Sequence, residues 1–128
     1  MMKKIGLALV LSFGCVSAQA DWMAYQRHAE AEEFYETTLV SRDQGRVTVW
    51  TLTDYFKPIT TLEGTEVLSD KVLTTVDCDS KKMGSTQVIR YAGKKAQGEV
   101  VNSMETVLRF TSVRAGSPDA VLLEKLCR

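Results

Sequence analysis

Twelve residues from Val47 to Pro58, VTVWTLTDYFKP, constrain this chain more than any other stretch. From Val47 to Tyr55 the side chains are mostly β-branched or aromatic, the types that favour extended backbone. Alternation places Val47, Val49 and Thr51 on one side and Thr48, Trp50 and Leu52 on the other. Neither side is strongly polar, so the stretch predicts a central strand with cover on at least part of both faces. Pro58 has no N–H to donate and is expected to end the ladder.

The flanking sequence supplies partners for that strand. Trp22–Tyr25 reads as an opening strand and Glu32–Val40 as a second. The residues His28–Glu33 have helix formers but no clear apolar face. Ser41–Gly45 reads as a turn, making a hairpin with the Val47 strand. Beyond a polar connection at Thr60–Thr65, Glu66–Cys78 is extended, Asp79–Lys82 turns, and Met83–Ala92 returns. Gly93–Gly98 marks another turn before a short strand at Glu99–Val101. Met104–Val113 is apolar but loosely patterned. The last segment changes character: Ser117 as N-cap, Pro118 at the first helical position and Asp119 in the first turn begin a helix. Leu122, Leu123, Leu126 and Cys127 share one face of it. The expected fold is α+β, a single antiparallel sheet of about six strands with a short C-terminal helix packed on it.

The first twenty residues, MMKKIGLALVLSFGCVSAQA, indicate where the protein goes. Lys3 and Lys4 precede an apolar run from Ile5 to Phe13, and Ala18-Gln19-Ala20 has the small-residue pattern of a cleavage site. Residues 1–20 read as a secretory signal, and 21–128 as one mature domain. The apolar run is too short for a membrane span of roughly 20 residues. Cys15 raises the alternative of a lipidated cysteine, although Ser12 and Phe13 suit that processing poorly. Cleavage leaves 14 basic and 16 acidic side chains, a weak mixed charge without the concentrated basic footprint that nucleic acid requires.

Export also decides the cysteines. Cys78 and Cys127 remain after cleavage, and an oxidising compartment makes a disulfide the simplest outcome. Closing a loop of about 50 residues stabilises by roughly 4 kcal/mol on the chain-entropy account. With Cys127 on the apolar face of the helix and Cys78 at a strand end, the bond is expected to fasten helix to sheet. Trp50 is then expected to lie beneath the helix.

The order Trp50-Thr-Leu52-Thr-Asp54-Tyr55 with Pro58, Ser69-Asp-Lys71 leading to Val76-Asp77-Cys78, then Tyr91, Gly93, Gly98-Glu-Val100-Val101, Gly116-Ser117, Leu122-Leu123 and Cys127 resembles the surface-adhesin protein E family of Gram-negative bacteria. The resemblance runs from Trp22 to Cys127. It implies a sheet with a disulfide-held C-terminal helix, exposure on the bacterial surface, and binding of host extracellular-matrix or serum glycoproteins. Trp50, Asp54, Tyr55, Cys78 and Cys127 match as fold-bearing residues. Ala115 departs from the proline that commonly precedes the Gly-Ser pair, leaving the helix entry less rigid.

Catalysis needs a positioned nucleophile, base or metal. The chain has one histidine, His28, no CxxC and no glycine-rich serine elbow. Asp54 and Asp77 are expected to accept hydrogen bonds from turn amides or to pair with Lys57 or Lys71 rather than to form a catalytic dyad. No enzyme activity, cofactor or metal is expected. Lys81-Lys82 and Lys94-Lys95 fall in turns beside the strand carrying Arg90. These residues are either solvated loops or one basic edge that meets acidic glycoproteins or glycosaminoglycan, with Tyr25 and Tyr91 adding contact area. Two functions remain: an exported, non-enzymatic, adhesin-like envelope protein, or a periplasmic module. The module would bind another envelope protein or a small apolar ligand between helix and sheet.

Overall fold

The structure, a computed structural model, describes residues 20–128. Apart from Ala20, the signal segment with Cys15 lies outside the described residues. Eight strands precede one helix: β1 (Trp22–Arg27), β2 (Ala31–Glu36), β3 (Ser41–Asp43), β4 (Arg46–Thr60), β5 (Glu66–Asp77), β6 (Lys82–Tyr91), β7 (Val100–Glu105), β8 (Thr111–Ser112) and α1 (Pro118–Leu126). They form one antiparallel sheet with the main order β1-β2-β4-β5-β6-β7; β3 also pairs with β4, and β8 with β6.

Three local differences from the sequence reading have physical causes. The turn leading into β4 is tighter than expected. Gln44 and Gly45 both take positive φ, at 49° and 78°, the backbone of a two-residue turn that matches strand twist. Ser41–Asp43 is therefore released to pair with Arg46–Thr48 as β3. Pro58 does not end β4. The ladder to β5 is interrupted between Asp54 and Ile59 and resumes with Ile59 opposite Val67, so the missing N–H falls inside an irregularity. The ambiguous stretch after Met104 divides into the end of β7, an irregular passage and β8. That passage crosses β6 at Gly84, where a β-carbon would sit 2.5 Å from the Arg109 carbonyl oxygen. Only glycine permits the approach.

Each sheet face carries its own cover. On one, Val47, Val49 and Val76 pack with Leu122 and Leu126 of α1. Burying each leucine contributes roughly 1.5–3 kcal/mol, which offsets the marginal stability of a nine-residue helix. The Ser117 side chain accepts a hydrogen bond from the Ala120 amide, as an N-cap should. Cys78 and Cys127 are bonded, their Cα atoms 5.5 Å apart, and Arg42 donates to the Leu126 carbonyl at 3.0 Å. The helix is thus held by apolar contact, a covalent clasp and a cap at its last turn.

Trp50 is not beneath that helix. It alternates with Val49 and therefore lies on the opposite face, with Leu52. On that side Phe34 and Leu52 are register partners and both buried.

Candidate functional site

The loop between β6 and β7 folds back over the Trp50 face. Its anchors come from β4 and β5. The Asp54 carboxylate accepts from the Lys95 amide at 2.9 Å. The Ser69 hydroxyl accepts from the Ala96 amide at 3.0 Å and donates to the Gly93 carbonyl at 2.6 Å. Asp54 and Ser69 are buried and stand opposite each other across the ladder. Lys95 and Ala96 take positive φ, 58° and 55°, a conformation costing about 1–2 kcal/mol for each non-glycine residue. The two buried acceptors hold the backbone there by satisfying the amides that this geometry turns inward.

The anchored loop presents cations over aromatic rings. Lys95 Nζ lies 3.3 Å from the Phe34 centroid, covering the ring that β2 contributes to the core. Phe56, at the exposed end of β4, is met by the Arg27 guanidinium at 4.9 Å and by Lys94 Nζ at 6.0 Å. Farther along the sheet Lys71 Nζ stands 4.4 Å from the Trp50 ring. Each contact contributes about 0.5–1 kcal/mol where exposed and more where water is excluded.

The residues expected to share one basic edge are divided. Lys81 and Lys82 sit at the β5–β6 turn, whereas Lys94 and Lys95 follow the far end of β6. Ten strand residues separate the two ends, a distance of about 30 Å. Arg90 is near the second pair in sequence but faces the helix side, because it stands opposite Asp70, and Asp70 opposite Thr53. Its Nε lies 3.4 Å from Asp70 Oδ1, and Tyr55 donates to Asp70 Oδ2 at 2.6 Å. Burial and that hydrogen bond push the Tyr55 phenol well above its usual range, so it remains a donor. Asp77, at the Lys82 end, accepts from the Asp79 and Ser80 amides and pairs with Arg46. Asp54 and Asp77 both cap turn amides, 23 residues apart on β4 and β5, and neither pairs with Lys57 or Lys71.

Nothing in the sequence marks Arg27 or Phe56 as part of a site, and Lys71, expected as a carboxylate partner, stands over Trp50 instead. Arg27 reaches Phe56 through β2, which lies between their strands, and no spacing along the chain encodes that meeting. Propensity marks Phe56 only as a strand residue.

The helix side offers a different surface, a groove of ≈ 620 Å³ beside the start of α1. Its lining combines Thr51, Thr53 and Thr74 and the charged Glu33, Arg109 and Asp119 with the apolar Val72, Met83 and Val113. Burial raises the Asp119 carboxyl above its ordinary value. Burial, then Glu33 and Asp119, raise the Tyr25 hydroxyl beyond its usual range. The lining thus mixes hydroxyls and charges with apolar side chains, a surface suited to an amphipathic guest. Among the described residues there is no group of three or more His, Cys, Asp or Glu side chains placed to hold a metal ion, and no helix is long and apolar enough to cross a membrane.

The fold and its two faces define a small antiparallel-sheet domain with a disulfide-clasped C-terminal helix. The sequence model of surface-adhesin protein E matches residues 22–128, and the chain belongs to that family. Its fold is similar to the solved structure of Haemophilus influenzae protein E, determined in its selenomethionine form, with a TM-score of 0.62. The similarity covers 80% of this chain and 89% of that one at 9% sequence identity, so it concerns the fold alone. A comparison with curated proteins found no match.

Proposed function

We propose that the protein is an exported, non-enzymatic adhesin of the bacterial envelope that binds host extracellular-matrix or serum glycoproteins. The observation that carries this reading is the family match across residues 22–128. The anchored Lys94–Lys95 loop supports it, because ordered cations on a rigid loop are a low-entropy contact surface. The signal-like N-terminus supports export.

Protease treatment of intact cells tests exposure. Digestion on intact cells is expected; digestion only after the outer membrane is permeabilised would remove the adhesin reading. Binding to immobilised matrix proteins is expected to weaken with added salt, since exposed charges act through screened attraction. The helix-side groove favours a second reading, a periplasmic module that engages another envelope component. That reading predicts protection on intact cells and binding insensitive to replacement of Lys94 and Lys95.

A further inference from the structure

We infer that Phe56, flanked by Arg27 and Lys94, is a subsite for a sulfated glycosaminoglycan. This deepens the proposed function and rests on it for the biological setting. Phe56 is 38% exposed, a large ring presented to solvent at the end of β4 instead of being buried in either core. The part of the ring left uncovered by Arg27 and Lys94 can pack on the C–H face of a pyranose. The two cations beside it supply what a sulfate needs. Arginine's planar fork matches sulfate oxygens through paired hydrogen bonds, and lysine adds a mobile point charge.

Both cations remain available. The Arg27 side chain is 72% exposed, and its contact to Glu32, at 3.7 Å, is a weak surface pair. Lys94 has no acidic partner among the described residues. The distances to the ring place the two charges within about 11 Å of one another, where they repel by about 0.4 kcal/mol in water. A single disaccharide can bridge them, and its anions relieve the repulsion. Lys95, next on the same anchored loop, and Lys71 over Trp50 continue the cations along this face. That extension fits a repeating polyanion better than one terminal acidic sugar. Lys81 and Lys82, at the other end of β6, lie outside the subsite.

The test uses the mature protein, size-defined heparin oligosaccharides, sialylated oligosaccharides of similar length, and intact matrix proteins. Heparin oligosaccharides are expected to bind in a salt-sensitive manner, and sialylated ones are not. The double variant Arg27→Gln/Lys94→Gln should lose affinity about tenfold or more. Phe56→Ala should lose several-fold at unchanged salt dependence, separating ring stacking from charge. Lys81→Gln/Lys82→Gln should retain wild-type affinity, and each variant's thermal midpoint verifies folding. Equal losses in the Lys81/Lys82 variant, no loss in the Phe56 and Arg27/Lys94 variants, or preference for the sialylated ligand would overturn the subsite. Failure to bind intact matrix proteins while heparin binding persists would instead defeat the adhesin reading and leave the subsite standing.

Discussion

The carboxylate of Asp54 accepts a hydrogen bond from the amide of Lys95, 41 residues away in the chain. Through that contact an aspartate bordering the irregularity in β4 helps Ser69 hold two left-handed residues and fixes a lysine above the Phe34 ring. Removing the acceptor leaves a part-buried amide unsatisfied. Asp54→Ala is expected to cost about 1–3 kcal/mol in urea unfolding, with loss of hydrogen-exchange protection at Lys95 and Ala96. Asp54→Asn keeps an acceptor oxygen and should cost less. Equal effects of the two variants would show that charge, not the hydrogen bond, holds the loop.

Strain in the same loop makes the opposite prediction. Ala96 has a φ of 55°, which glycine adopts without the β-carbon clash. Ala96→Gly should stabilise the protein by about 1 kcal/mol, because relief of left-handed strain exceeds the added freedom of the unfolded chain. A lowered thermal midpoint would contradict this.

The clasp at the helix is the next test. The Cys78–Cys127 bond closes a sequence separation of 49 residues, and its removal should cost about 2–5 kcal/mol. Cys78→Ser/Cys127→Ser is expected to lower the thermal midpoint, and reductant should lower that of the wild type but not of the variant. With the clasp gone, Leu122 and Leu126 still bury against Val47, Val49 and Val76, so helix amides should lose exchange protection before those of β4 and β5.

Asp77 sets a pH dependence of known sign. The Ser80 amide, followed by the Ser80 side chain and Arg46, holds its carboxyl below the ordinary value of 3.8. The folded state therefore releases this proton at lower pH than the unfolded state does. The resulting stability is present above the unfolded value and is lost as pH falls through the folded one. Asp77→Asn should reduce stability at neutral pH and flatten the acid limb below about pH 4, measured by urea midpoints from about pH 2 to pH 7. An unchanged acid limb would assign acid sensitivity to other carboxylates.

Local physical chemistry determined much of this protein before any contact was known. The β-branched run through Trp50, the alternation in Glu66–Cys78 and the Ser117-Pro118 helix start are properties of short windows, where propensity and capping dominate. The cysteine pairing followed from the signal-like N-terminus and from Cys127 lying on the leucine face of the helix. Tertiary structure decided what depends on register. Strand alternation has period two, so registry and bulges determine which face each residue occupies. This put Trp50 opposite the helix, turned Arg90 away from Lys94 and Lys95, and absorbed Pro58 into an irregularity. Only strand order brought Arg27 to Phe56, because the strand between them sets their distance and nothing along the chain records it.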